Sequence, residues 1–205
     1  AEPAMEGIYT ISQTDGKFKV VGGSLTEDGE NLNSLTDAFN KILSFGTDTN
    51  ININFDNVNI SREAPTLTES CELTLKGTYT SAAEAFIIGS NDTFIIHNEA
   101  DITTSSYVIR RSSAKNSKNS TVIFEQNGGT VKSVDGFYMY ENDVISLNGG
   151  TINGNARGNG GTGSGSGAGG TGGGSAALCT VGRAGTLCRG GGSGKAGTAN
   201  AAAGG

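Results

Sequence analysis

The chain has no tryptophan, a single histidine and few clustered positive charges, and none of its apolar runs approaches the length of a membrane helix. Because a membrane-spanning helix needs about 20 mainly apolar residues, no span is expected in this chain. The net charge is −6 and nucleic-acid binding needs clustered lysine and arginine, so nucleic acid is not an expected partner. The basic residues that do cluster, Arg110, Arg111, Lys115 and Lys118, predict a small solvated loop.

Residues that carry chemistry are also scarce. His97 follows a short apolar run, and a histidine that acts as a general base needs a partner at hydrogen-bonding distance. It is therefore interpreted as hydrogen-bonded or exposed. Residues 192–195 lack the strand, the spacing and the following serine or threonine of a phosphate loop, and no regular calcium-binding repeat occurs. The sequence predicts no catalytic residue, no metal and no cofactor.

The three cysteines lie in two different settings. Cys71 lies in a strand-like run and is expected to be buried. Cys179 and Cys188 lie close together and form a candidate disulfide that would close a short loop, with two free thiols as the alternative. Most of the 34 glycines also fall in this last part of the chain. Residues 156–205 are therefore predicted to be a glycine-rich, mostly irregular tail.

Residues 1–33 predict an N-terminal hairpin and cap region. Two short apolar runs, 8–11 and 18–21, flank Asp15-Gly16, and Asp-Gly is a strong turn signal. A helix over residues 34–45 is predicted from apolar residues at helical spacing, with Asn33 or Ser34 as its N-cap and Gly46 as its end. The apolar positions of this helix are Leu35, Ala38, Phe39, Ile42 and Leu43.

Short β runs then repeat along residues 51–153. When the turns that follow the first strand of each unit are aligned, they fall at positions 54, 76, 98, 127 and 148, with spacings of 22, 22, 29 and 21 residues. A polar insertion at residues 112–120 accounts for the long spacing. Very short strands after the turns, and a third series at 85–88, 107–109 and 137–140, keep the same period. Asparagine and glycine recur at the turns, where stacked asparagines can hydrogen-bond to one another.

This period favours an all-β fold: a right-handed parallel β-helix of about five coils over residues 34–155. No coil can bury its apolar face alone, but stacked coils pair like strand with like strand. The helix at 34–45 would cover the open apolar end of the first coil. An antiparallel sandwich is the alternative, although it does not require three strand series in one register.

Two segments carry a family resemblance. Residues 124–131, Phe-Glu-Gln-Asn-Gly-Gly-Thr-Val, resemble the FxxN and GGA[IV] repeats of polymorphic outer-membrane adhesins. Residues 145–155, Ile-Ser-Leu-Asn-Gly-Gly-Thr-Ile-Asn-Gly-Asn, are similar to a coil motif of pectin-lyase-like β-helix proteins, which include polygalacturonases and phage tailspikes. The resemblance implies the fold over about residues 34–155. The Asn-Thr-Asp, Asp-Asp and Gly-His-Gly motifs expected of polygalacturonase-like enzymes are missing from the chain.

The expected function is that of a non-enzymatic adhesin or structural module, extracellular or on the cell surface. Its partners would be a glycan or a cell-surface protein, and self-association is compatible with this role. Alternation along residues 137–140 would turn Phe137 and Met139 inward and Tyr138 and Tyr140 outward, with Arg110 on the adjacent coil. Exposed tyrosines suit stacking on sugar rings. The missing tryptophan counts against sugar binding, and ordinary surface aromatics are the alternative.

The main alternative function is a fragment of a polysaccharide lyase, hydrolase or phage tailspike whose catalytic coils lie outside this chain. Glycoside hydrolysis needs two carboxylates at a set separation. Asp56, Glu99 and Asp101 follow turn positions on nearby coils, where stacking could bring them together, but exposed turn acids are the simpler interpretation. A third hypothesis is a spacer module without a ligand.

Overall fold

The computed structural model describes residues 7–44, 50–113, 117–153, 156–166 and 183–189, the last two ranges by their backbone alone. Within these residues the chain is mostly strand, with one helix, α1 (Leu35–Leu43). The strands of the first half are β1 (Ile8–Thr14), β2 (Lys17–Gly22), β3 (Gly29–Leu32), β4 (Asn50–Ile60), β5 (Thr66–Leu67), β6 (Cys71–Ser81), β7 (Phe86–Ile88) and β8 (Thr93–Asn98). The remaining strands are β9 (Asp101–Thr104), β10 (Tyr107–Arg111), β11 (Thr121–Gln126), β12 (Thr130–Ser133), β13 (Gly136–Leu147), β14 (Thr151–Asn153), β15 (Ala156–Ser166) and β16 (Arg183–Arg189). The all-β class predicted from the sequence is confirmed.

The predicted N-terminal hairpin is present. β1 pairs antiparallel with β2 in a register that sets Thr14 opposite Lys17, so Asp15 and Gly16 alone form the turn. Both turn residues have positive φ, 51° and 75°, as a two-residue hairpin turn of this twist requires. β3 then pairs antiparallel with β2, and β1 continues into a parallel pairing with β4.

Helix α1 packs against the apolar core. Ser34 caps it, because its Oγ accepts a hydrogen bond from the Asp37 N–H at 3.0 Å. The predicted apolar stripe is buried except for Leu43, which is partly buried. Phe39 packs against Phe55 and Phe86 at ring distances of 6.2 and 6.0 Å. The helix ends at Leu43, two residues before the predicted end, and Gly46 lies outside the described residues.

Three series of parallel pairings run through the described strands. The first joins β4, β6, β8, β11 and the end of β13. The second joins the ends of β4 and β6 to β9, β12 and β14. The third joins β5, β7, β10 and the start of β13. An antiparallel sandwich would not pair its strands in this way.

The register differs from the sequence alignment at one turn. Leu75 pairs with Asn98, and Asn98 with Gln126, so Glu99 rather than Asn98 occupies the turn position. Asn98 instead points inward and is fully buried, where its Nδ2 donates to Gln126 Oε1 at 2.8 Å. A shift of one residue reverses which side chains face the core, so the predicted spacings of 22 and 29 residues around this turn were wrong by one.

The stacking of turn asparagines is confirmed at the last two turns. Asn148 Nδ2 donates to Asn127 Oδ1 at 2.9 Å, and both side chains are exposed. The glycines beside these asparagines approach the neighbouring turn closely. A Cβ at Gly129 would press on Ala100 O, and one at Gly150 on Gly129 O. Side-chain size at these turns is therefore limited by the backbone of the next strand.

The glycine-rich tail contains two strands where a mostly irregular chain was predicted. β15 pairs parallel with β13, and β16 pairs antiparallel with β15. Alternating glycines allow a backbone ladder without requiring side-chain packing, which is why composition alone did not indicate strands here. Residues 167–182 and 190–205 lie outside the described residues, and so does Cys179 of the predicted disulfide; the side chain of Cys188 is likewise not described.

Candidate functional site

The predicted ligand-binding residues lie on β10 and the first half of β13, which are neighbours in the third pairing series. The pairing register of β10 with β13 shifts between Tyr107 and Ile109, as it does at a β-bulge. Val108 and Ile109 are consequently both buried, which turns Tyr107 and Arg110 toward the outer face. On β13, Phe137 is buried as predicted, whereas Tyr138 and Tyr140 are half-buried on the same outer face.

The structure brings these tyrosines together and adds a third that the sequence analysis missed. The rings of Tyr138 and Tyr140 are 5.5 Å apart, and Tyr107 lies 5.7 Å from Tyr138 in an edge-on arrangement. Tyr107 was counted only as part of a strand, because its place beside Tyr138 depends on the pairing of β10 with β13. The predicted inward direction of Met139 is untested, since its side chain is not described.

A surface pocket of about 390 Å³ opens beside these rings. It is lined by the three tyrosines, Arg110, Arg111, Lys118 and the serines at 112 and 113. These residues are called the tyrosine pocket below. Its volume falls within the roughly 300–1,000 Å³ typical of small-ligand sites.

Arg111 is a structural residue rather than part of a solvated loop. Its Nη2 lies 2.6 Å from Asp143 Oδ1, and both side chains are almost completely buried. Its Nε donates to Ser120 Oγ at 2.9 Å, and its guanidinium lies 4.8 Å from the centre of the Tyr140 ring. The sequence prediction of solvated basic residues is therefore wrong for Arg111, while Lys115 lies outside the described residues.

Both carboxylate oxygens of Asp143 contact groups beside the tyrosine pocket. Oδ1 accepts the Val122 N–H at 2.8 Å as well as the Arg111 guanidinium, and Oδ2 accepts the Tyr140 N–H at 2.8 Å. Burial, with the Tyr138 hydroxyl as a smaller influence, raises the pKa of Tyr140 against the opposing effect of Arg111. The Tyr140 hydroxyl therefore stays neutral and available for hydrogen bonding at physiological pH.

Arg110 has a different environment from Arg111. Its side chain is 43% exposed, and its Nε lies 3.0 Å from Glu84 Oε1. This contact is an ion pair whose direction does not make a hydrogen bond, and the Arg110 Nε has no other partner among the described residues. Arg110 thus presents a partly neutralised cation at the edge of the tyrosine pocket.

His97 is the centre of a second polar cluster on the outer face of the first pairing series. Its Nε2 lies 2.7 Å from Glu72 Oε1 and its Nδ1 lies 2.6 Å from Glu125 Oε2. The three side chains come from β6, β8 and β11, and Glu125 is directly opposite His97 in the pairing register. The interpretation of His97 as hydrogen-bonded is confirmed, whereas neither glutamate was identified, because both lie more than 20 residues away in sequence.

The two glutamates favour the protonated form of His97. Burial is the largest single influence and lowers the pKa of His97, but the hydrogen bonds and negative charges of Glu72 and Glu125 together outweigh it and raise the pKa above 6.5. With both ring nitrogens engaged, His97 has no free position for a substrate. The cluster is therefore an ion-pair bridge across three strands.

We expect the stabilisation from His97 to be fully present below pH 6.5, while the glutamates are ionised, and to be lost as the pH rises through the raised folded-state pKa. The folded protein binds this proton more tightly than the unfolded chain does. Urea unfolding of the wild type and of His97→Gln at pH values from about 6 to about 9 should show a difference in unfolding free energy that shrinks with rising pH. A Glu72→Gln/Glu125→Gln variant should lose this trend, and a trend unchanged in that variant would contradict the assignment.

Two of the three turn acids that were considered for catalysis, Glu99 and Asp101, are engaged in structural contacts, and Asp56 is exposed. Asp101 Oδ1 accepts the Thr130 N–H at 2.9 Å, and Glu99 lies 3.7 Å from Lys76 Nζ. Cys71 is buried in β6 as predicted, and burial raises the pKa of its thiol to about 12. Among the described residues, no group of three or more His, Cys, Asp or Glu side chains is arranged to hold a metal ion.

Comparison with known proteins found no match among family models, curated protein sequences or solved structures. In the described part of the chain, no helix has the length and apolar character needed to cross a membrane.

Proposed function

We propose that this chain is a non-enzymatic module of the cell surface or extracellular space, built as a right-handed parallel β-helix, that binds a glycan at the tyrosine pocket. The observation that carries the glycan proposal is the cluster of three outer-face tyrosines beside an open pocket. Such rings offer flat apolar faces together with hydroxyl groups, which suits sugar rings. An adhesin or stalk that contacts another cell-surface protein, or further copies of itself, is compatible with the same fold.

The β-helix proposal rests on how the strand series repeat. Successive partners of the first series are Ile53 with Leu75, Leu75 with Asn98, Asn98 with Gln126, and Gln126 with Leu147. The second and third series advance in step with the first, so each repeat contributes one strand to each series. Three parallel series with a common advance along the chain are what stacked coils require. The surface location rests on the resemblance to outer-membrane adhesins and tailspikes.

The first test of the glycan proposal is incubation of the purified protein with a panel of neutral and acidic polysaccharides, followed by measurement of retention and of released products. Retention without products supports a binding module. Released oligosaccharides would instead favour the alternative of an enzyme fragment. No retention by any polysaccharide would favour the third hypothesis, a spacer module without a ligand.

Tyr138→Ala and Tyr140→Ala should each weaken retention of a bound polysaccharide by about two- to tenfold. An aromatic contact is worth about 0.5–1.5 kcal/mol, and about 1.4 kcal/mol corresponds to tenfold in affinity. Tyr138→Phe is the matched control, because it keeps the ring and should keep most of the affinity. Val134→Ala, at a residue that is 65% exposed and does not line the pocket, should leave binding unchanged. Equal binding by all four variants would exclude the tyrosine pocket as the site.

A further inference from the structure

Among the side chains that the structure describes, the lining of the tyrosine pocket includes no carboxylate, although the chain as a whole is acidic, with 20 acidic and 14 basic residues. Three cations, Arg110, Arg111 and Lys118, lie around the pocket together with two serine hydroxyls. The net charge of the protein is −6, so a pocket lined by positive and neutral side chains differs in sign from the protein as a whole. Concave surfaces lined by one sign of charge concentrate the field and attract the opposite sign.

The three cations are not equivalent. Arg111 is neutralised by Asp143 at 2.6 Å and is buried, so it contributes little net charge to the opening. Arg110 is 43% exposed, and its contact with Glu84 involves the Nε side of the guanidinium. Lys118 is exposed and forms no hydrogen bond or ion pair with the described residues. Arg110 and Lys118 are therefore the two cations that a ligand can reach.

We propose that the tyrosine pocket takes an anionic sugar, one that carries a carboxylate or a sulfate group. This inference rests on the glycan-binding function proposed above and specifies the class of ligand. The sugar ring packs on the tyrosine cluster, and the anionic group lies at the Arg110 and Lys118 side. A guanidinium suits this task because its fixed fork of N–H donors matches the oxygens of a carboxylate or sulfate. The serine hydroxyls at 112 and 113 add donors on the same side.

The test uses matched oligosaccharides that differ in a single type of anionic group. Hyaluronan hexasaccharide is compared with its carboxyl-reduced form, and a sulfated chondroitin oligosaccharide with its desulfated form, by titration calorimetry at low and high salt. We expect at least one charged member to bind at least tenfold more tightly than its partner, with the difference falling at high salt because exposed charges are screened. The two pairs separate a carboxylate from a sulfate as the recognised group.

Variants locate the anionic group within the pocket. Arg110→Gln/Lys118→Gln should lower affinity for the sugar that carries the recognised anionic group, and so remove most of the preference for it over its partner. Arg62→Gln/Lys132→Gln is the matched control. It also removes one arginine and one lysine, but at exposed positions that do not line the pocket. Lys118→Gln alone should give part of the effect and leaves the Arg110–Glu84 contact intact. Equal urea midpoints would show that each variant is folded.

The outcomes separate this inference from the function on which it rests. Equal binding by the two members of each pair, weakened by Tyr138→Ala, would overturn the anionic preference and leave glycan binding intact. A charge preference that the control pair reduces as much as the Arg110/Lys118 pair would also overturn it, because long-range attraction would then suffice. Absence of binding both by every member of the two pairs and by every polysaccharide of the wider panel would overturn both proposals.

Discussion

Asp143→Asn should lower the free energy of unfolding by about 3–5 kcal/mol, the usual cost of removing one partner from a buried ion pair. The Arg111 guanidinium would keep its charge in a site that is almost completely buried. The asparagine would also have an NH₂ group in place of one carboxylate oxygen. Either the Val122 N–H or the Tyr140 N–H would therefore lose its acceptor. Urea unfolding with an unchanged m-value would measure the loss directly.

The control for this prediction is an ion pair of the same length on the surface. Lys19 Nζ lies 2.6 Å from Glu30 Oε1, the same separation as in the Arg111–Asp143 pair, but both side chains are about half exposed. Solvent and salt screen such a pair, so Glu30→Gln should barely change the urea midpoint. Similar losses for Glu30→Gln and Asp143→Asn would show that burial does not determine the strength of the pair.

A double replacement distinguishes the charge from the hydrogen bonds. Buried ion pairs are often replaceable by apolar residues of similar volume, so Arg111→Met/Asp143→Leu should recover part of the stability lost in Asp143→Asn. Full recovery is not expected, because the Val122 and Tyr140 N–H groups would lose their acceptors. Asp143 thus links stability to the tyrosine pocket, and its variants are unsuitable for binding measurements.

The sequence predicted the parts of the fold that depend on local pattern. Helical spacing identified α1 and its buried stripe, and Asp15-Gly16 identified the hairpin turn. The period of about 22 residues identified which strands are partners, because the same apolar alternation recurs in each repeat. These features are encoded within a few residues of one another or by repetition, so a single sequence contains them.

The errors arose where a residue's role depends on a partner elsewhere. Asn98 has the composition of a turn residue, and only Gln126, 28 residues away, makes its inward position favourable. Arg111 has a partner 32 residues away in Asp143. Counting every other residue to find outward side chains would also fail past the bulge near Ile109. Tyr138 and Tyr140 were placed outward correctly because no bulge lies between Phe137 and Tyr140 in the β13 pairing with β15.

Gly77→Ala should lower the free energy of unfolding by about 2–5 kcal/mol, the sum of a backbone cost and a packing cost. Gly77 has φ +85°, a conformation that L-residues adopt only at a cost. A Cβ there would also overlap the carbonyl oxygen of Phe55, the residue opposite Gly77 in the pairing of β4 with β6. A backbone oxygen cannot rotate away as a flexible side chain can, so the two strands would have to separate at this turn.

Gly16→Ala isolates the first of these two costs. Gly16 has nearly the same backbone conformation, φ +75°, but its Cβ would meet no atom within 4 Å. It should therefore cost only about 1–2 kcal/mol, the penalty of the left-handed conformation. The excess loss in Gly77→Ala over Gly16→Ala, measured by urea unfolding of both variants, reports how closely β4 and β6 approach at their shared turn. Equal losses would mean that the two strands are not held against each other there, and the stacking on which the β-helix proposal depends would lose its support at that turn.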